Sequence, residues 1–430
     1  MRQMDFYQLL SDVRLEDVFQ AYFECRKNKR RSLSALRFEL DYERQVTALW
    51  EDIQSRRYHI RSSNAFIVTK PVLREIFAAD FRDRIVHHLV ISKLMQMFEK
   101  AFSDYSFSCR AGKGTLYGVQ RVNDMIRQCS DGYQTDCFVL RLDIQGFFFH
   151  IDKQKLYERL KDLLDHTYHA SDKETILFLL QEILSDNPQN HCTILGRRSD
   201  WNDLPESKSL FHARPGCGLP IGNLTSQIFA NFYLDGLDHY IESLDPNLFY
   251  GRYVDDLVLI HPDKAFLKET QHKIQHYLHQ NLGLTLHPKK IVLQHYAKGF
   301  AFTGAFIKPG RIYPTKRFKA SFYRKADEIN RWWQEALNPL DDRLIEKTLS
   351  SLNSYLGLLK HYDCWRMRLK AWNMLHPSIH DMFWINRDLT KVSVRDEIKE
   401  KRRVLLRQKV LPPLVKKKKT IRKENRNDES

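Results

Sequence analysis

Tyr253, Val254, Asp255 and Asp256 put two adjacent carboxylates between two apolar, strand-like runs, Phe249 to Val254 and Leu257 to His261. Burying a carboxylate without a partner is costly, and a second one beside it adds like-charge repulsion, so the pair calls for cations. A divalent metal is the obvious one. The β-branched and aromatic residues on either side read as strands and place the aspartates at a tight hairpin turn. Asp-Asp also suits an ordinary solvated turn, so the pair needs support from elsewhere in the chain.

That support lies upstream. Cys137 to Asp152 begins with an apolar run that reads as a buried strand ending at Asp143, and continues through Gly146 into three phenylalanines. A Mg²⁺ site needs only one or two protein carboxylates plus carbonyl, water and phosphate oxygens. If the two strands are neighbours, Asp143, Asp255 and Asp256, with the Ile144 carbonyl, supply such a set. Two such ions roughly 3.5–4 Å apart activate an attacking hydroxyl and hold a leaving oxygen, which is the chemistry of nucleotidyl transfer.

The strand Leu140-Arg141-Leu142-Asp143 with Phe148 behind it, the segment Gly218-Leu-Pro-Ile-Gly-Asn-Leu-Thr-Ser-Gln227, and the Tyr-Val-Asp-Asp turn resemble, in that order, the palm motifs of reverse transcriptases. Gly218 to Gln227, running into Ile228 to Leu234, looks most like the enzymes of diversity-generating retroelements and related bacterial retroelement or phage-defence systems. The resemblance implies an α+β right-hand polymerase: N-terminal helices and fingers over 1–135, a palm with an antiparallel sheet packed on helices over 136–312, a helical thumb over 313–390 and a basic C-terminal extension over 391–430. A loop of about 186–215 is inserted in the palm.

The implied activity is RNA-directed DNA synthesis, with Asp143, Asp255 and Asp256 catalytic and, with Ile144, holding two Mg²⁺ ions for which Mn²⁺ substitutes. The implied partners are dNTPs, a DNA primer and product, and an RNA template, read as a cognate noncoding RNA. An accessory protein or a second copy of the chain is left open, and no membrane is implied. Around the nucleotide the resemblance places Arg74, with Lys70 second, on the triphosphate; Arg holds phosphate in a bidentate way that Lys does not. Phe148 lies under the sugar, Ile221 and Gly222 beside the nascent pair, and Lys290 or its neighbour Lys289 near the departing pyrophosphate. Arg110 and Lys113, in the Gly-rich segment Ser106 to Thr115, lie on the template, and Tyr253 at the primer. That segment lacks the Walker spacing, so it is not read as an NTPase loop.

Ile221 departs from the family, in which many members carry Gln. A lost hydrogen bond is worth on the order of 1 kcal/mol, about five- to tenfold in discrimination, so low fidelity is expected. Low fidelity suits either diversity generation or antiphage defence. A noncatalytic nucleic-acid-binding scaffold and a template-independent terminal transferase remain as alternatives; the intact aspartates argue against the first.

Composition agrees with a polyanion partner. The 430 residues carry a formal charge of +16, and the last forty, with fifteen Lys plus Arg against six Asp plus Glu, hold +9 of it. The seven cysteines are scattered and never form Cys-x-x-Cys, as in reduced cytoplasmic proteins. His87-His88 and His191-Cys192 read as structural residues. No run suggests a signal peptide or a membrane span. Residues 1 to about 60 read as helical, Ala65 to Phe77 as two strands broken at Pro71, and Asp83 with Arg84 as an internal ion pair. Trp201 and Leu210-Phe211 read as pins for the inserted loop. Three helices follow Thr315, and a flexible tail carries Pro412-Pro413 and Lys416 to Lys419.

Overall fold

A computed structural model of the chain describes residues 13–27, 32–70 and 72–410, with side chains described through 404. Pro71, the chain start and the tail with Lys416 to Lys419 lie outside the described residues. The chain divides into two units, 1–303 with 307–310 and 304–306 with 311–430.

The first unit contains strands β1 (Asn64–Val68), β2 (Arg74–Ala78), β3 (Phe138–Asp143), β4 (Thr193–Ile194), β5 (Phe249–Tyr253), β6 (Asp256–His261) and β7 (Val292–His295). Four of them form an antiparallel sheet in the order β5-β6-β3-β7. The two central strands, FVLRLD and DLVLIH, are buried along nearly their whole length, which is why they read as continuous apolar runs and not as an alternating pattern. The helices Thr115–Cys129 and Lys264–Tyr277 pack on this sheet. Elsewhere in the unit, the helices Leu15–Arg26 and Leu224–Tyr233 both pack on the long helix Phe81–Ala101. The helix Leu224–Tyr233 is interrupted at Leu234, and the chain resumes as the helix Asp235–Glu242.

A second sheet runs β2-β1-β4. Here β1 and β2 form an antiparallel hairpin, and β4, from the inserted loop, joins β1 in parallel.

Two polar groups buried in the first unit set its geometry. Arg252 has no exposed surface; its guanidinium bonds both Asp238 oxygens at 2.7 and 2.5 Å, the Asn231 side chain and the Ser106 hydroxyl. Tyr250 donates to the same Asp238 at 2.6 Å. Asp83 accepts from the Tyr58 hydroxyl and the Arg61 N–H, and burial pushes its carboxyl up to about 6. The expected Asp83–Arg84 pair is not formed. The guanidinium near Asp83 is that of Arg82, at 3.6 Å, which turns with it toward the segment Tyr58 to Arg61 and also meets Asp52.

The second unit has the expected helices, Lys316–Gln334, Asp342–Leu359 and Trp365–Asn373. Trp333 is buried and donates to Thr348, whereas Trp365 is half exposed. The sequence reading missed the hairpin Phe383–Ile385 with Val392–Val394, whose turn is tied by Asn386 accepting from the N–H groups of Thr390 and Lys391. The segment from Lys391 is therefore not all extension, since Val392, Val394 and Ile398 belong to the core of this unit.

Removing one partner of a buried ion pair leaves an uncompensated charge, and Asp238→Ala is expected to cost about 3–5 kcal/mol. Chemical denaturation of the variant against the parent chain measures this.

Candidate active site

Antiparallel register sets Asp143, the last residue of β3, directly opposite Asp256, the first residue of β6. The main chain pulls Asp255 in as well, because its carbonyl accepts from the Ile144 N–H at 3.3 Å. The other side of Asp143 is fixed by the His287 N–H, which donates to its carbonyl at 2.7 Å. Three carboxylates thus meet at one end of the sheet. Between the strands, Val254 adopts φ +56°, a left-handed conformation that β-branched residues rarely take. It is held there from both sides: Ser108 Oγ accepts from its N–H at 3.2 Å, and Arg252 donates to its carbonyl at 3.0 Å.

The charges are shared out unequally. Lys290 Nζ lies 2.8 and 2.9 Å from the two oxygens of the buried Asp143. Arg141, two residues before Asp143 on the same strand face, donates to Asp256 at 2.9 Å. Among the described residues Asp255 has no such ion-pair partner: burial, then the negative charges of Asp256 and Asp143, push its carboxyl up to about 7. It is the carboxylate most in want of a cation.

Mg²⁺ fits this donor set. Asp143, at the end of β3, and Asp255, in the turn before β6, offer hard oxygens, and one or two protein carboxylates suffice. No group of three or more His, Cys, Asp or Glu side chains among the described residues is gathered tightly enough to hold a metal ion by itself. The fit therefore relies on further oxygens from water and substrate phosphate. Ile144, whose carbonyl the sequence reading adds to the set, is buried beside them.

Of the residues expected around a nucleotide, Phe148 and Ile221 come together, both packed against a cluster of Ala65, Phe77, Phe149 and Leu210. The Ile221 carbonyl accepts from Phe77 N–H at 2.9 Å, and Leu219 N–H donates to the Phe148 carbonyl at 2.8 Å. Gly222 is required: its φ is +129°, and a Cβ there would lie 2.9 Å from the Phe77 carbonyl oxygen. Arg74 and Lys70 are exposed, and Tyr253 is half-buried at the end of β5.

Arg110 turns inward. It is nine-tenths buried, with its guanidinium on Glu99 at 2.9 Å and on the carbonyls of Ser103 and Ser106. These partners occupy Nε and Nη1 and draw the guanidinium into the protein, where a solvent-facing side chain was expected to reach the template. Lys113 is tied to Asp104 through both the carbonyl and the carboxylate. His87 is wholly structural: it is buried, bonded to Thr225 at 2.5 Å, and held down to about 3 by burial.

A sheet that gathers three aspartates at the ends of two adjacent strands and the turn between β5 and β6 is the arrangement expected of a nucleotidyltransferase of the polymerase class. The family described as reverse transcriptase (RNA-dependent DNA polymerase) matches residues 70–307, more than half of the chain, and the chain belongs to that family. No curated protein matches it. Similar solved structures include apo telomerase from Candida tropicalis truncated from its C-terminal domain (13% identity, 59% of this chain and 55% of that one, TM-score 0.41). Others are telomerase from Candida albicans in complex with a fragment of telomeric RNA (13%, 79% and 64%, TM-score 0.43) and apo telomerase from Candida tropicalis (12%, 73% and 55%, TM-score 0.46). The chain spans 55–64% of the length of these three. No described helix is long and apolar enough to cross a membrane.

If Asp255 is a Mg²⁺ ligand, protons compete with the ion for it. Because its pKa is raised to about 7, the carboxyl is mostly protonated at pH 6 and mostly free at pH 8. The Mg²⁺ concentration giving half-maximal binding is expected to fall as pH rises through 7, approaching about tenfold per unit below the pKa. Calorimetric Mg²⁺ titrations at pH 6, 7 and 8 check the sign; an affinity that stays level across this range contradicts it.

Proposed function

We propose that this protein is the polymerase of a bacterial retroelement, copying a cognate noncoding RNA into DNA with low fidelity. The observation that carries the catalytic part is the register that sets Asp143 against Asp256, with the neighbouring Asp255 tied to Ile144 through its main chain. Asp143 and Asp255 would hold divalent metal, which when bound would supply activation of the primer hydroxyl and charge neutralisation at the phosphates. The chain's own residues do the rest. Arg141 holds the Asp256 carboxylate by a hydrogen bond, which leaves Asp256 to support the primer end. Phe148 closes the space under the sugar, Arg74 takes the triphosphate with Lys70 behind it, and Lys290 offers its ammonium to the departing pyrophosphate. Gly222 lets the backbone come close to the base pair, and Tyr253 lies against the primer. Lys113 lies along the template edge.

Primer extension with Mg²⁺ on matched RNA and DNA templates tests the activity. Asp255→Ala is expected to abolish extension on both while leaving the fold intact. Phe148→Ala is expected to raise incorporation of ribonucleotides, and unchanged sugar selectivity removes Phe148 from its assigned place. Ile221→Gln restores a hydrogen-bonding side chain, and the error rate is expected to fall by about five- to tenfold, the worth of one such contact. The retroelement assignment rests on the resemblance of Gly218 to Gln227. Sequencing the RNA and cDNA that copurify with the protein separates diversity generation, with its template repeat, from defence, with its noncoding RNA.

A further inference from the structure

The inserted loop, residues 186–215, supplies no catalytic group, yet it is stitched to the β1–β2 hairpin at two places. Along β1, Thr193 N–H donates to the Ser63 carbonyl and Leu195 N–H to the Ala65 carbonyl, both at 2.8 Å, as β4 extends the sheet. On β2 the tie is Glu75. This carboxylate is 1% exposed and takes three neutral donors, all from the loop: Leu210 N–H at 2.6 Å, Trp201 Nε1 at 2.7 Å and Ser209 Oγ at 2.7 Å. A buried carboxylate satisfied only by such donors makes the docking specific, because every bond lost leaves a charged oxygen unpaired.

The loop's other side rests on the nucleotide corner. Leu210 is buried against Gly218, where an added Cβ would lie 2.6 Å from its Cδ1, and it belongs to the cluster on which Phe148 and Ile221 pack. Phe77, which follows Glu75 on the same strand face, donates its N–H to Ile221. Alternation along β2 sends Arg74 and Ile76 to the opposite face, where Ile76 lies against Gly222. Hairpin, loop and nucleotide corner are therefore one packed body, with Arg74 on it.

We infer that Glu75 is a positioning residue: by fastening the inserted loop it keeps the β1–β2 hairpin docked before any nucleotide arrives, so that the triphosphate side of the site is preformed. The purpose of this docking rests on the reading of Arg74 as the triphosphate contact. When the competent state is only a fraction f of the free protein, the apparent dissociation constant rises by 1/f, while the rate at saturation is unaffected. Weakening the fastening thus acts on KM for dNTP and spares kcat.

Glu75→Gln is the discriminating variant. Its one carbonyl oxygen can serve Leu210 N–H only by turning the amide NH₂ toward Trp201 Nε1, donor against donor. Trp201→Phe and Ser209→Ala remove single donors and serve as milder versions. In the full chain with template and primer, Glu75→Gln is expected to raise KM for dNTP about tenfold with kcat within about twofold, as for a docked fraction of roughly one tenth. Hydrogen exchange of residues 64–78 without nucleotide is expected to be slow in the parent protein and fast in the variant, with protection regained on adding dNTP. Equal protection and equal KM in parent and variants overturn the inference, as does a fall in kcat that tracks a general loss of thermal stability, which assigns Glu75 to folding alone. Arg74→Ala separates the underlying reading: an unmoved KM there removes Arg74 from the triphosphate, while the exchange result still decides the docking.

Discussion

Repulsion among Asp143, Asp255 and Asp256 is the constraint around which the first unit is organised. Three carboxylates at the end of two buried strands are tolerable only because each has been given a different surrounding: Lys290 on Asp143, Arg141 on Asp256, and for Asp255 a proton or an incoming cation. Such unequal treatment of chemically identical groups is how a site separates their roles. The rigidity behind it comes from the four-stranded sheet, whose register leaves the aspartates no freedom to drift apart.

A second layer of buried polarity supports the first. Arg252 lies directly before the turn, and its bonds reach Asp238 and Asn231 on the two helices after the Gly218 to Gln227 segment, as well as Ser106 in the Gly-rich segment. Asn231 in turn bonds Ser108, and Ser108 holds the turn. Motifs separated by more than a hundred residues are thereby joined through hydrogen bonds in which every partner is accounted for, the condition under which a buried polar network fixes one arrangement.

Much of the central sheet and its aspartates was legible, because continuous apolar strands and carboxylates at their ends leave a strong local pattern in Cys137 to Asp143 and Phe249 to His261. Arg141 left a signal that could have been used, since a residue two before Asp143 shares its strand face. Glu75 left none: its partners lie 126 to 135 residues away and are supplied by a loop with no periodicity. Arg110 misled because glycines and basic residues suggest an exposed loop, whereas its partner Glu99 waits on the preceding helix. The hairpin Phe383–Ile385 with Val392–Val394 has strands of three residues, too short for alternation to register.

Val254 sets stability and chemistry against one another. A β-branched residue at φ +56° carries local strain of roughly 1–3 kcal/mol, kept in place by the bonds from Ser108 and Arg252. Glycine or asparagine would relieve that strain, so a search for thermal tolerance alone is drawn toward them at this position. The same exchange would let the corner that carries Asp255 wander. Valine at this position therefore trades hardiness for a fixed corner, and laboratory evolution toward a sturdier protein is best kept away from this one residue.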